Sequence, residues 1–341
     1  MFFDRKRELE KLLKFVSAEP NLITFIYGPI NSGKTALMME LVNRLPEDYV
    51  AFYINLRRTP VTSYEDFVDV FFSVEFRSKV KTLREAVSLV LSAGKEAFGF
   101  PVPAELLEEI LRDKKPKNAF AYIATLMEEV RKAGKKPILI LDELQVIGDL
   151  KVNGSLIYEL FNFLIHLTKE THLSHVFVVT SDSLFIERIY SEAMLQGRAE
   201  YFLVDDFDRK TAMEFLKALG FTDEETELVW SYFGGKPVYL VEATKHRDEL
   251  KEWCERNLRL RVQSINALVY GKKSLIKLLK KFENEDEIPF DGRVSNALAE
   301  LVKANVLFVD PLNGVVRPQG KLELLAIRKA LETVGQKHKT G

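Results

Sequence analysis

One segment near the amino terminus constrains the fold of this chain more than any other feature. Its residues are, in order, Gly28, Pro29, Ile30, Asn31, Ser32, Gly33, Lys34 and Thr35. They fit the pattern G-x-x-x-x-G-K-[ST], in which the glycines let backbone N–H groups approach phosphate oxygens closely. The segment follows an apolar run at 22–27 and precedes a helical pattern at 35–45. A strand, this loop and a helix, in that order, predict a phosphate-binding loop.

The last residues of the loop indicate which phosphates it binds. Lys34 is expected to place its ammonium on the β- and γ-phosphates of a nucleotide, and the Thr35 hydroxyl is expected to ligate Mg²⁺. The helix that follows, with Ala36 in its first turn, directs the positive end of its dipole at the anion. We therefore predict that the eight loop residues and Ala36 bind ATP or ADP together with Mg²⁺.

A second segment, 138–143, is an apolar run that ends in two acids. If it is a strand, Asp142 lies at the carboxyl edge of the sheet, where open α/β sheets bind ligands. Asp142 is then a candidate Mg²⁺ ligand, through water, and Glu143 a candidate base for the attacking water. The alternative is an acid pair that caps a helix after a strand. The phosphate loop upstream favours the catalytic interpretation.

A third apolar run, 175–181, ends in polar residues at the same predicted edge. Thr180 or Ser181 is expected to contact the γ-phosphate or the attacking water, and the sequence does not choose between them. In the alternative interpretation, Ser181 and Asp182 simply cap the next helix.

The remaining pattern predicts an α/β fold with further helical parts. Five apolar runs separated by helical stretches predict a parallel sheet covered on both faces. The runs lie at 22–27, 49–54, 137–141, 175–180 and 201–204. Between the second and third runs, about 60–135, periodic stretches at 65–76, 83–91, 104–111 and 119–132 predict a helical insertion, with an apolar loop at 94–103.

After residue 205 the pattern changes to helices. Asp208 and Thr222 are predicted to cap two of them in a lid at 206–255. A domain at 256–341 follows, in which a helix at 294–304 precedes two β-rich runs joined by Asn313-Gly314. That dipeptide is a hairpin signal, and a helix followed by a hairpin is typical of a winged helix. The predicted domains are therefore 1–205, 206–255 and 256–341.

These motifs together resemble the archaeal ATPase family within the AAA+/STAND group of P-loop ATPases. The opening F-x-x-R-x-x-E-L, which contains Arg5, is similar to the family's amino-terminal box beside the adenine. The element Asp142-Glu143-Leu144-Gln145 resembles its D-E-x-Q, and Gly197-Arg198 resembles the G-R before its fifth strand. Gly235-Lys236-Pro237 resembles the G-x-P of its lid. The order of these motifs along the chain is a stronger signal than any one of them.

The resemblance implies a sheet order of 5-1-4-3-2, a helical lid and, in many relatives, a winged helix. It also implies adenine contacts from Arg5 and Pro237. Arg198 becomes a candidate for stabilising charge on the transferred phosphoryl group, in its own chain or toward a neighbouring subunit. A surface arginine is the alternative. Where many relatives carry arginines in the loop, this chain has Pro29, Ile30 and Asn31.

Composition limits the remaining functions. The chain has 341 residues and a net charge of -1, so a partner of high charge requires a local patch. Its one cysteine, Cys254, excludes a disulfide framework and a cysteine-rich zinc site. The longest stretch without charged residues, 20–33, is too short to span a bilayer, and the start lacks a signal-peptide core. We expect a cytoplasmic protein without membrane contact.

Two functions from different classes remain. The first is an ATP-hydrolysing switch, in which the nucleotide controls the lid and the winged helix. The second is a DNA-binding ATPase, similar to origin-recognition ATPases, in which the nucleotide is mainly structural. Segment 251–281 carries nine basic and two acidic residues, a local charge of +7, and is the candidate DNA contact. The predicted recognition helix has few residues that read bases, so a protein partner is an equal alternative.

Overall fold

A computed structural model describes residues 3–57, 75–76, 119–147, 156–191 and 195–337. The helical stretches predicted at 83–91 and 104–111 and the loop predicted at 94–103 lie outside these ranges. Within the described ranges, no helix combines the length and the apolar character needed to cross a membrane.

The centre of the fold is a six-stranded sheet in the order β3-β2-β4-β5-β1-β6. Its strands are β1 (Ile23–Tyr27), β2 (Tyr49–Asn55), β3 (Glu75–Phe76), β4 (Lys136–Asp142), β5 (His175–Thr180) and β6 (Ala199–Leu203). Neighbouring strands are parallel, except that β3 pairs antiparallel with β2. Without β3, the parallel strands lie in the order β6-β1-β5-β4-β2, which is 5-1-4-3-2 when the five are numbered along the chain. This confirms the predicted fold class and the predicted order.

The short strand β3 was not predicted. Glu75 and Phe76 fall at the end of the stretch 65–76, for which the sequence predicts a helix, and that prediction is wrong for these two residues. They pair antiparallel with Tyr53 and Phe52 of β2. The physical reason is that β2 is the outermost parallel strand, and its open edge offers backbone groups that need partners.

Helices cover both faces of the sheet. They are α1 (Lys6–Ser17), α2 (Lys34–Arg44), α3 (Ala119–Lys132), α4 (Leu156–Ile165) and α5 (Ser183–Ser191). Side chains of β1 alternate between the two faces. Phe25 joins the apolar core beneath α3, α4 and α5, whereas Ile26 joins the core beneath α1 and α2. Strands buried on both faces explain why these runs are apolar throughout rather than alternating.

The lid consists of three helices, α6 (Arg209–Ala218), α7 (Asp223–Phe233) and α8 (Pro237–Ala243). Both predicted caps are confirmed. The Asp208 side chain accepts a hydrogen bond from the Thr211 N–H, and Thr222 forms a capping box with Glu225. Pro237 is the first residue of α8, a position where the missing N–H is not needed.

The carboxyl-terminal part contains four helices and a small sheet. The helices are α9 (Leu250–Val269), α10 (Lys273–Leu279), α11 (Asn296–Lys303) and α12 (Lys321–Lys337). The predicted hairpin is present as β8 (Leu307–Asp310) and β9 (Val315–Pro318). A further strand, β7 (Ile288–Pro289), pairs with β9, so the antiparallel sheet has the order β7-β9-β8.

The lid and the carboxyl-terminal helices share one apolar core. Phe233 of the lid, Trp253 of α9 and Leu322 of α12 belong to the same buried cluster. The predicted boundary between residues 255 and 256 falls inside α9, which continues through it.

The carboxyl-terminal sheet also packs on the domain that contains the six-stranded sheet. The buried Phe308 of β8 belongs to the apolar core beneath α3, α4 and α5. The Ser183 hydroxyl accepts a hydrogen bond from the Val309 N–H at 3.1 Å. The Tyr27 hydroxyl donates one to Asp310 Oδ1 at 3.0 Å, and burial of the phenol raises its pKa. The hairpin therefore contacts the end of β1, directly beside the phosphate loop.

Candidate functional site

The loop at 28–33 lies at the carboxyl ends of the parallel strands, between β1 and α2. Gly28 has φ 155°, and a Cβ at this position would lie 2.1 Å from the Val204 carbonyl oxygen. Gly33 has φ 92°, in the left-handed region that favours glycine, and is the N-cap of α2. Close packing therefore requires glycine at position 28, and the left-handed backbone favours glycine at position 33.

Lys34 is folded back over its own loop. It is buried, and its Nζ donates hydrogen bonds to the carbonyl oxygens of Gly28 at 3.0 Å and Pro29 at 2.8 Å. Burial lowers its pKa to about 8, and the nearby acid Glu143 counteracts part of that effect. An ammonium removed from water and held at the loop is suited to bind phosphate oxygens.

Thr35 and Asp142 meet at the next position along the edge. The Thr35 hydroxyl donates a hydrogen bond to Asp142 Oδ2 at 3.0 Å, and the Tyr53 hydroxyl donates to the same oxygen at 2.6 Å. The other oxygen, Oδ1, is buried and has no hydrogen-bond partner among the described residues. A hydroxyl and a carboxylate with one unused oxygen fit the donor set that Mg²⁺ takes beside phosphates.

The described ranges contain no cluster of three or more His, Cys, Asp or Glu side chains that could hold a metal ion by themselves. This is compatible with Mg²⁺, which protein sites commonly bind through one or two side chains, with water and substrate phosphates as further ligands.

Glu143 follows Asp142 in a left-handed conformation, with φ 64°. Its N–H donates to the Val179 carbonyl oxygen, which fixes the backbone between β4 and β5. Gln145 Nε2 donates to Glu143 Oε2 at 2.5 Å, and Arg57 forms a salt bridge to the same oxygen at 2.8 Å. The side chain is thus oriented from two sides.

Thr180 is connected to Glu143 through Gln145. The Thr180 hydroxyl donates to Gln145 Oε1 at 2.7 Å and accepts a hydrogen bond from the Asp182 N–H. Asp182 Oδ1 accepts from the N–H groups of Leu184 and Phe185, so Asp182 caps α5. Of the two predicted sensor residues, it is Thr180 that bonds to the group orienting Glu143.

Arg5 and Pro237 lie at the base of the loop. Arg5 is buried and donates to the carbonyl oxygens of Ser32 at 2.5 Å and Asp205 at 2.6 Å. A Cβ at Gly33 would lie 3.9 Å from Arg5 Nε and 4.0 Å from Pro237 Cγ. The structure therefore brings these two residues of distant segments to one place beside the loop.

Arg198 does not reach the site within its own chain, which corrects that part of the prediction. Its carbonyl oxygen accepts a hydrogen bond from the N–H of Ile23, the first residue of β1. The phosphate loop follows the other end of β1, about 16 Å away for a strand of this length. Because β1 and β6 are parallel, the residues that precede them share the opposite edge. A role toward a neighbouring subunit stays a prediction.

Three residues of the site were not assigned a role from the sequence. Gln145 was visible only as part of the D-E-x-Q element. Tyr53 and Arg57 lie at the end of β2, and their approach to Asp142 and Glu143 depends on the pairing of β2 with β4. One sequence signal could have pointed to Tyr53 and Arg57. The predicted strands at 49–54 and 137–141 are neighbours, and parallel neighbours end at the same edge of a sheet.

The parallel sheet, the loop and the acidic strand end together define a P-loop NTPase fold. A family described as an ATPase domain predominantly from Archaea matches residues 2–243. A second family, described as the carboxyl-terminal domain of MJ1010-like uncharacterized ATP-binding proteins, matches residues 244–331. The chain belongs to the archaeal ATPase family.

Individual relatives agree with this assignment. A Pyrococcus abyssi protein described as an uncharacterized ATP-binding protein is 71% identical over 98% of this chain and 100% of its own length. Among solved structures, a Walker-type ATPase of Pyrococcus abyssi has a TM-score of 0.66 at 17% identity, covering 96% of both chains. The ORC2 protein of Aeropyrum pernix has a TM-score of 0.53 at 13% identity, covering 99% of this chain and 96% of that one. These two structures support the fold.

Proposed function

We propose that this protein is an ATP-binding, ATP-hydrolysing switch in which the bound nucleotide controls the arrangement of the lid and a winged-helix-like carboxyl-terminal domain. The family and the description of its relatives as ATP-binding proteins support the nucleotide. The observation that carries the proposal is the meeting of Lys34, Thr35 and Asp142 at one edge, under direct contact from the lid and the hairpin.

Each loop residue has a defined part in binding. N–H groups of the loop and of Ala36 bind phosphate oxygens, and Lys34 exchanges its bonds to loop carbonyls for bonds to the β- and γ-phosphates. Thr35 and Asp142 would hold Mg²⁺, and bound Mg²⁺ would neutralise charge on the phosphates. Arg5 and Pro237 border the adenine and ribose side of the pocket.

Glu143 deprotonates the water that attacks the γ-phosphate. Because Gln145 and Arg57 both contact Oε2, we assign proton acceptance to Oε1. Thr180 contacts the γ-phosphate or the water and, through Gln145, links its position to that of Glu143.

Phosphate release from Mg-ATP tests the hydrolytic step. The wild-type protein is expected to release phosphate, and Glu143→Gln is expected to lower the rate at least about 100-fold while it retains ATP. Glu224→Gln, the same change at an exposed residue of α7, is the control and should leave the rate unchanged. A Glu143→Gln protein that hydrolyses ATP at the wild-type rate would show that the base is another group.

One observation favours DNA binding as a second candidate function. Lys273 and Lys277 of α10 and Lys280, the residue that follows α10, are exposed and recur at the spacing of one helical face. Three other basic residues of the segment 251–281 are engaged in ion pairs, namely Arg256, Arg261 and Lys272. This face is the surface from which phosphate contacts would come.

Fluorescence anisotropy with a labelled duplex tests this second function. If it is correct, the logarithm of the binding constant falls linearly with the logarithm of salt concentration, and replacing the three lysines by alanine reduces the magnitude of that slope by about 3. Absence of binding at low salt would remove DNA as a partner and leave a protein partner for the carboxyl-terminal domain.

A further inference from the structure

We propose that Lys236 and Gln319 are positioning residues for the phosphate loop, so that the nucleotide site is complete only while the lid and the carboxyl-terminal hairpin are docked. The inference rests on the proposed nucleotide binding and adds how that site is controlled. Both residues lie outside the loop motif, and they hold opposite groups of one loop residue, Ile30.

Gln319 fixes the N–H of Ile30. Its Oε1 accepts that hydrogen bond at 3.0 Å. Gln319 is 1% exposed, and its Nε2 donates to the carbonyl oxygen of Leu307 in β8. The backbone N–H of Gln319 donates to the carbonyl oxygen of Val306. The acceptor is therefore built into the hairpin, and its position follows that of the carboxyl-terminal domain.

Lys236 fixes the carbonyl oxygen of Ile30. Its Nζ donates to that oxygen at 3.0 Å and to Asp206 Oδ1 at 3.1 Å, and the side chain is 4% exposed. A Cβ at Gly320 would lie 2.6 Å from Lys236 Cε, so the glycine after Gln319 leaves room for this lysine. The lid and the hairpin thus meet over the loop.

A neighbouring ion pair holds the hairpin in this place. Arg317 of β9 contacts both carboxylate oxygens of Asp205 at 2.7 Å. The carbonyl oxygen of Asp205 accepts from Arg5, which also holds the Ser32 carbonyl oxygen. The hairpin is therefore tied to the loop on two sides.

The direction of the carbonyl groups determines what the loop presents to an anion. Within a planar trans peptide, the N–H of the next residue points opposite to the C=O. Lys236 holds the Ile30 carbonyl oxygen on the side of the lid, so the Asn31 N–H points to the opposite side of that peptide. Arg5 likewise holds the carbonyl oxygen of Ser32, so the Gly33 N–H points to the opposite side of that peptide. These N–H groups are left for phosphate, while the Ile30 N–H is used by Gln319.

Equilibrium binding of ADP and of a non-hydrolysable ATP analogue, measured by titration calorimetry, tests the proposal. Gln319→Leu and Lys236→Met are each expected to weaken binding about tenfold, as for the loss of one buried hydrogen bond. Gln263→Leu and Lys251→Met make the same changes at exposed residues and should bind like the wild type. Gln319→Asn keeps a polar amide, but its shorter side chain cannot reach Ile30. It serves as a second test of the same contact in case the leucine variant misfolds.

A second measurement separates positioning from a general structural role. Since coupling between two sites is reciprocal, nucleotide must slow hydrogen exchange of residues 307–318 in the wild type. The same nucleotide effect should be lost in Gln319→Leu, at nucleotide concentrations that saturate both proteins. Gln319 and Lys236 variants that bind nucleotide as tightly as the wild type, or more tightly, would overturn the proposal. A wild type that binds no nucleotide would instead overturn the proposed function itself.

Discussion

The phosphate loop and the Glu143 side of the site differ in what holds them. Ile30 of the loop is held by Lys236 and Gln319, which lie 206 and 289 residues away along the chain. Glu143 is held by Gln145, two residues away, and Gln145 by Thr180, 35 residues further on. One half of the site is therefore organised by distant parts of the chain, and the other half by neighbouring strands of one sheet.

This difference suggests a division of function. In the proposed switch, movement of the lid and the hairpin would change the loop that binds the phosphates. The described contacts that orient the Glu143 side chain come instead from Gln145 and Arg57. Binding and hydrolysis should then respond to different substitutions.

The largest effect is expected on the binding half. Replacing Lys34 by alanine removes the buried ammonium and is expected to weaken ATP binding at least about 100-fold, because charge-assisted hydrogen bonds to phosphate are lost. Lys14→Ala on α1, where the lysine is exposed, is the control. Titration calorimetry measures the effect. Tight ATP binding by Lys34→Ala would contradict the assignment of the loop.

A smaller effect is expected from the residues that orient Glu143. Gln145→Leu removes the hydrogen bonds to Glu143 and Thr180, and is expected to lower kcat about tenfold while the affinity for nucleotide is unchanged. Thr180→Val should have a similar effect, and the double variant should be no worse than either single one because the three residues act as one unit. Weakened binding in Gln145→Leu would show that the halves are not separate.

The interface between hairpin and core should contribute to stability. Tyr27→Phe removes the donor to the buried carboxylate of Asp310 and is expected to lower the free energy of unfolding by about 2 kcal/mol. Urea unfolding followed by circular dichroism measures it. Tyr270, which is 86% exposed, gives the control Tyr270→Phe. Equal stability of the two variants would show that the tyrosine–aspartate contact is not maintained in solution.

The smallest effect is expected from the capping box of the lid. Hydrogen bonds from Arg247 and Thr222 hold the pKa of Glu225 down to about 2. Because the folded-state pKa lies below the unfolded value, this stabilisation is present above about pH 4.3 and is lost as the pH falls toward 2. Between pH 5 and 2, the midpoint temperature of thermal unfolding should therefore fall more steeply with pH for the wild type than for Glu225→Gln. Parallel curves would argue against the interaction.

Local patterns in the sequence predicted much of the fold. The five apolar runs are parallel strands in the predicted order, and Asp208, Thr222 and Asn313-Gly314 mark the elements that they were expected to mark. These signals are local because a cap or a two-residue turn is determined by a few neighbouring residues.

Contacts between distant segments could not be predicted in this way. Arg198 is part of the G-R motif with Gly197. Only the parallel pairing of β1 and β6 shows that it lies at the edge of the sheet opposite the phosphate loop. Lys236 occupies the variable position of the G-x-P motif and Gln319 belongs to no motif that was identified. Their contacts arise only where the lid and the hairpin meet over Ile30. Their positions depend on the docking of whole domains.

In the proposed switch, nucleotide state controls the arrangement of the lid and the hairpin over the loop. Hydrogen–deuterium exchange of the Glu143→Gln protein with ATP or with ADP tests it most directly, because ATP should persist in this variant. We predict that exchange of residues 307–318 and 236–243 differs at least about fivefold between the two nucleotides, as for a coupling free energy near 1 kcal/mol. Identical exchange in both states, with both nucleotides bound, would contradict the switch.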